Sequence, residues 1–213
     1  MTRHLAMLGL AVLLAFACGD ASPRPTPPAP FASGGTASPA VPPSMPAAPP
    51  APSRISTAGS DPAVLQCGSV VFPKPAGWTW VQPTAPFRTL QYTVPGSAGA
   101  SDLIVSAFPK GDGGDLEANV TRWRGQFVAA DGREAPMTRR DLQVSGMPVT
   151  RLDFAGTFQG GMGQPSREGV RQLAAIVQAP DQTLFMRLIG PAESVEAARA
   201  DFEAMIDGAR VSE

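Results

Sequence analysis

Histidine is all but missing from these 213 residues: His4 is the only one, and it stands among the first few positions. Beyond it there is no imidazole for a Ser-His-Asp or Cys-His pair, for a zinc ligand, or for a proton switch near neutral pH. The commonest hydrolase designs are therefore excluded, although carboxylate pairs and Ser-Lys pairs are not. Lysine is nearly as scarce, with Lys74 and Lys110 alone, so the basic residues are almost all arginines. Together with abundant Ala, Gly and Pro, this points to GC-rich codon usage and not to a function. Charge of one sign is lacking as well. Seventeen Lys and Arg stand against 18 Asp and Glu, for a net charge of −1, which leaves no electrostatic footprint for nucleic acid. Cysteine occurs at Cys18 and Cys67 only, and a domain of about 150 residues can build its core without disulfides. The apolar run at residues 5–17 is shorter than the ~20 residues a membrane-spanning helix needs.

What is present begins with that run. Met1-Thr2-Arg3-His4 is a short positive start, residues 5–17 (LAMLGLAVLLAFA) are apolar throughout, and Cys18-Gly19-Asp20 follows at once. This is the pattern of a secretory signal peptide over residues 1–17. Ala15-Phe16-Ala17 satisfies the A-x-A rule for ordinary signal peptidase, and both peptidase types would cut before Cys18. A cysteine at that position resembles the lipobox of bacterial lipoproteins, although Phe16 departs from the small residue the pattern prefers. The resemblance implies that Cys18 is lipidated, carries the acyl chains (palmitate among them), and anchors the protein to a membrane of the cell envelope. Gly19 in place of the inner-membrane Asp favours the outer membrane within that reading. The alternative is a soluble secreted or periplasmic protein whose Cys18 is free or paired with Cys67.

Residues 18–62 are mostly Ala, Pro, Ser, Thr and Gly, as in PRPTPPAP and AVPPSMPAAPPAPS. Proline fixes φ and removes donors, and so few apolar side chains cannot build a core, so the segment is expected to be a disordered tether. At ~3.1 Å per residue it would reach on the order of 100 Å when extended. Residues 63–213 then form a single domain.

In that domain, residues 78–81 and 90–94 alternate at period two, as half-buried strands do, and residues 101–108 form a more continuous apolar strand. Residues 142–144 and 149–158 predict a hairpin turning at Ser145-Gly146-Met147-Pro148. Residues 172–177 and 184–189 predict another, turning at Ala179-Pro180-Asp181-Gln182. Strands joined this closely are antiparallel. A helix is predicted over residues 115–128, with Leu116, Val120, Trp123 and Phe127 on one stripe. A second is predicted over residues 191–208, burying Val195, Ala198, Phe202, Met205 and Ile206 and stopping at Gly208. The expected class is α+β: an antiparallel sheet flanked by two amphipathic helices.

The entry Pro75-Ala76-Gly77-Trp78, the strand pairs, a helix carrying Asn119 and Trp123, further antiparallel strands and a closing amphipathic helix resemble, over roughly residues 64 to 211, the Mog1/PsbP-like α/β/α sandwich. Members of that fold serve as assembly or accessory factors and as binding modules. The resemblance implies a role of that kind and carries over no functional residue.

The chemistry-bearing candidates are few. Asp112, Asp115 and Glu117 stand near a glycine turn and could offer oxygen ligands to a cation, centring a carboxylate- or metal-dependent envelope enzyme. Their spacing does not match the D-x-[DN]-x-[DN]-G loop, and an acidic helix start explains the same residues. Residues 160–167 are glycine-rich but lack the G-K-[ST] ending and precede a strand, so a hairpin loop is expected there. Arg122, Arg124, Arg139 and Arg140 could form a patch that reads an anion, but Glu134 and Asp141 are interspersed nearby, so a solvated face is expected. Trp78, Trp80 and Trp123 read as core, with a ligand groove between sheet and helix as their other use. Cys67 reads as a small buried hydrophobe, because nothing nearby would activate a thiolate. The reading is thus a membrane-tethered envelope lipoprotein with a non-catalytic binding or accessory domain. It has no expected cofactor or metal, and its partners are the membrane at Cys18 and an envelope protein.

Overall fold

The computed structural model describes residues 54–160 and 165–212. Cys18, the signal peptide, most of the tether and the centre of the glycine-rich segment lie outside these residues. The described chain runs through β1 (Val64–Cys67), β2 (Val70–Pro73), β3 (Thr79–Val81), β4 (Leu90–Val94), β5 (Ser101–Pro109) and α1 (Leu116–Arg124). It continues through β6 (Phe127–Val128), β7 (Met137–Val144), β8 (Met147–Phe158), β9 (Arg167–Gln178), β10 (Gln182–Pro191), α2 (Ala192–Ala197), α3 (Arg199–Asp207) and β11 (Arg210–Val211).

An eight-stranded antiparallel sheet, in the order β3-β4-β5-β10-β9-β8-β6, forms the middle layer, and β7 and β6 pair with successive stretches of the same edge of β8. Side chains alternate across it. On β9 and β10, Leu173, Ala175, Val177, Leu184, Met186 and Leu188 face one core. Ala174, Ile176, Phe185 and Ile189 face the other. The first core is closed by Val195, Ala198, Phe202, Met205 and Ile206 of α2 and α3, and by a small sheet ordered β1-β2-β11. The second is closed by Val120 and Trp123 of α1. The result is an α+β domain with helices on both faces of an antiparallel sheet, and β5 and the central stretches of β9 and β10 read as largely apolar runs because both faces pack against other elements.

Several expectations change in detail. There are three helices among the described residues, not two. The first ends at Arg124: the Gly125 N–H bonds back to the Thr121 carbonyl, and Phe127 leaves the helix to pair with Phe158 in β6. The closing helix is broken at Ala198 (φ −87°, ψ 0°), while Val195, Phe202 and Ile206 stay on the sheet side of both halves. The hairpin between β7 and β8 turns on Ser145 and Gly146 alone, both at positive φ, since Val144 already pairs with Met147. Such a two-residue turn matches the strand twist, so β7 extends back to Met137. Ordered structure begins inside the segment assigned to the tether. Ile55 bridges Cys67, the Ser56 N–H donates to the Gln66 carbonyl, and the Gly68 N–H donates to the Arg54 carbonyl.

Cys67 is fully buried, and burial pushes its thiol up to about 12. The turn after it is tied to the β9–β10 hairpin: the Gln182 side-chain amide donates to the Cys67 carbonyl at 2.7 Å, and the Ser69 hydroxyl to Asp181. Most cations on the α2/α3 side are paired. Asp153 lies between Arg171 (2.9 Å) and Arg199 (2.7 Å), and Glu196 contacts both arginines.

Burial alone would push the Asp153 carboxyl up, but the hydrogen bonds from Arg171 and Arg199 hold it below its ordinary value. A carboxylate depressed in the fold contributes stability that is present above its unfolded value near 4 and lost as pH falls through the folded value. Asp153→Asn should therefore lower the unfolding free energy by about 1–3 kcal/mol at pH 7. Urea melts should show that gap closing as pH falls below the ordinary carboxylate range and through the folded value, where the wild-type carboxylate is protonated too. A gap independent of pH would mean that packing, not the ion pair, sets the loss.

The Cys67 thiol should react with a maleimide at pH 7.5 only as the domain unfolds, with labelling tracking the urea transition. Rapid labelling of the folded chain would contradict its burial.

Candidate functional site

The carboxylates singled out in the sequence are occupied locally. Asp115 caps α1, accepting from the Glu117 and Ala118 N–H groups at 2.9 and 3.1 Å. Glu117 accepts from Arg139 at 2.7 and 2.9 Å. Asp112 is exposed in the turn. Among the described residues no three carboxylate, cysteine or histidine side chains converge on one point. The bland reading of this segment, an acidic helix start after a glycine turn, accounts for its geometry.

The same turn has another use. Gly113, at φ +84°, packs its bare α-carbon against two rings, and a Cβ there would fall 2.9 Å from Phe185 and 3.0 Å from Phe108. It forms one end of a groove of about 420 Å³ on the α1 side of the sheet. The walls are aromatic. Phe87 stacks on Phe108 with ring centroids 6.2 Å apart, Phe108 meets Phe185 edge-on at 5.7 Å, and Phe185 meets Trp123 edge-on at 6.0 Å. Trp123 is thus both core, at 3% exposure, and wall. Trp78 is buried in the opposite core, and Trp80 packs at its margin.

Three arginines reach this groove from three elements: Arg88 from the loop before β4, Arg122 from α1 and Arg187 from the middle of β10. Each is held by a neutral amide. Arg187 donates through Nε and Nη2 to Gln172 Oε1 at 2.8 and 2.5 Å, and through Nη2 to Gln126 Oε1 at 3.1 Å. Its guanidinium lies 5.3 Å from the centre of the Trp123 ring, a cation–π contact. Arg122 donates to Asn119 Oδ1. The Asn119 amide is itself fixed by donating to the Gly113 and Asp115 carbonyls at 3.0 and 2.9 Å. Arg88 donates to Gln91 Oε1 at 2.8 Å.

Among the described residues no carboxylate lines the groove, and none pairs with Arg88, Arg122 or Arg187. Burial, and then the fields of Arg122 and Arg88, push the Arg187 guanidinium down to about 10. Amide oxygens orient a cation but do not neutralise it, so the groove is a fixed positive site with apolar walls. Of its residues, the sequence singles out Trp123 as core or groove, and Arg122 as part of a solvated face or, alternatively, of an anion-reading patch. It passes over Arg187, Gln172, Arg88 and Phe87. One signal was available: Arg187 is a lone charge inside Leu184-Phe185-Met186-Arg187-Leu188-Ile189, where a two-faced strand has no wet side.

The fold and groove define an α+β domain with a preformed cationic, aromatic-walled site. No family model matches the chain, and no curated protein matches it. Among solved structures it is similar to cyanobacterial PsbP from Synechocystis, at 14% identity over 73% of this chain and 97% of that one, with a TM-score of 0.47. It is also similar to a Pseudomonas aeruginosa protein of unknown function, at 11% identity over 68% and 92% of the two chains, with a TM-score of 0.41. Both scores are too low to define a fold, and the class rests on the layers and strand order themselves.

A base depressed in the folded state weakens the fold at every pH below its folded value, and the penalty is relieved only as pH rises from about 10 toward the unfolded value. At neutral pH that is on the order of 3 kcal/mol against folding, partly offset by the bonds to Gln126 and Gln172. Arg187→Met, apolar and of similar length, should therefore melt within about 3 °C of the wild type or above it. A fall of more than about 5 °C in a calorimetric melt would make Arg187 a net structural element instead.

Proposed function

We propose that this chain is a lipid-anchored cell-envelope protein whose α+β domain is a non-catalytic binding module working through the Arg88–Arg122–Arg187 groove. The observation that carries the reading is the set of guanidiniums held by neutral amides beside open aromatic walls, an arrangement that leaves positive charge unneutralised where a ligand could reach it. The groove offers orientation and charge but no proton-transfer pair. Ser106 is a hydroxyl at its lining, and no base contacts it among the described residues.

The anchor rests on Cys18 directly after the apolar run at residues 5–17, and the reach of the domain from the membrane rests on the Pro- and Ala-rich stretch that follows. Lipidation at the first mature residue makes an anchor with more than one acyl chain, which is what stable membrane residence requires. The outer membrane is the favoured location, from Gly19 after the cysteine.

Intact mass of the protein extracted from its native membranes tests the anchor. The expected mass is that of residues 18–213 plus a diacylglyceryl group, with or without an N-acyl chain. An unmodified chain in the soluble fraction would overturn the anchor and make a Cys18–Cys67 disulfide the next thing to measure. The binding role is tested by solvent extraction of the native protein and mass spectrometry of what is released. A stoichiometric, chemically unchanged compound is expected. Recovery of a product formed from an added substrate would overturn the non-catalytic reading.

A further inference from the structure

We infer that the ligand of this groove is a small oxyanion, a carboxylate or a phosphate monoester, carried on a flat apolar body. The inference rests on the groove being the binding site and specifies what it binds. The charge follows from which guanidinium donors are already used. Arg187 commits Nε and Nη2 to the two glutamines, Arg122 commits Nη2 to Asn119, and Arg88 commits Nη1 to Gln91. The remaining terminal amine of each has no protein partner among the described residues. Three forks with spare N–H groups on one cavity match the several acceptor oxygens of a carboxylate or phosphate. Anion binding would also remove the unneutralised charge that weakens the apo fold. On the α2/α3-side cleft, by contrast, Arg151 and Arg199 have carboxylate partners in Asp207, Asp153 and Glu196, and Arg140 stands exposed at its edge.

The apolar body follows from Phe87. This phenylalanine is 77% exposed and holds a left-handed backbone, at φ +62°. A bulky non-glycine residue in that region is strained, and nothing in the core requires it there. Its ring instead extends the Phe108 wall outward as a stacked lip. A flat group lying against Phe87 and Phe108, with its anion on Arg187, would cover the exposed ring and meet π-faces rather than edges. A space of about 420 Å³ limits the bound part to a molecule of one or two rings, not a folded partner.

The test is isothermal titration of the purified chain at low salt with four probes: 2-naphthoate, 2-naphthyl phosphate, the uncharged 2-naphthamide, and inorganic phosphate. At least one aromatic anion should bind, with the amide and inorganic phosphate each about tenfold weaker or worse, and with affinity falling as salt is added. The ranking of naphthoate against naphthyl phosphate separates the two oxyanions. Arg187→Met and Phe87→Asn, whose new side chain tolerates the left-handed backbone, should each weaken binding about tenfold or more. Arg133→Gln, an exposed arginine outside the groove, should change it less than twofold. Equal binding of the acid and the amide would overturn the anionic class and leave the groove a binding site. If no probe binds at about 5 mM while a compound is still recovered from the native protein, the class alone is overturned. If no probe binds and nothing is recovered, the binding reading falls with it.

Discussion

Burial of the eight-stranded sheet on both faces is the constraint from which the other features follow. Strands β9 and β10 lie near its centre, between α1 on one side and α2, α3 and the small sheet on the other. A strand so placed meets packed side chains on both faces, so a charge on it is stabilised largely by partners within the protein. Arg187 is the consequential case. Its neighbours at register are Ile104 and Ala174, small or apolar residues that leave room above them. Gln172, diagonal to it on β9, and Gln126, just after α1, supply oxygens, and Trp123 supplies a ring face. The same packing that closes the second core thus holds a guanidinium at the floor of an open groove.

The two faces of the sheet treat charge differently. Near α2 and α3, Arg171 and Arg199 share Asp153 and Glu196, and Arg151 meets Asp207, so these three cations each have a carboxylate within contact. Beneath α1, three cations share one cavity and receive only amide oxygens. The first arrangement ties a helix to a strand and is spent on the fold. The second leaves three guanidiniums beside aromatic walls without a carboxylate, and the proposed binding role rests on that difference. Phe87 belongs to the same account: it is strained and exposed at the rim of the groove, not in the core.

Much of the architecture was legible because alternation and turn chemistry act locally. Strand β4 falls on the residues that alternate, and the β9–β10 hairpin turns where Pro180 and Asp181 stand. Elements settled by distant partners were not legible. The two residues of β6 are a strand only because Phe158 is there to pair with them. Residues 137–141 carry four polar side chains and little alternation, yet they extend because β8 offers its edge. The break at Ala198 and the ordering of residues 54–63 likewise depend on what they pack against. The groove was hidden for a related reason. Arg88, Arg122 and Arg187 lie on a loop, a helix and a strand far apart in the chain, and no spacing rule links them.

What the sequence determined by itself is therefore what nearest neighbours along the chain can enforce: the apolar run at residues 5–17 with Cys18 behind it, the proline-rich stretch, the strand alternation, the helix stripe and the lack of any histidine after His4. Tertiary structure alone decided which charges are neutralised and which are not. It set Glu117 on Arg139, whereas the acidic helix start at Asp115 is local and was already legible. It also brought three arginines to one aromatic cavity with no carboxylate among its lining residues. The physical reason is that the state of a charge depends on what surrounds it in space, and at Arg187 those surroundings come from four separate segments of the chain.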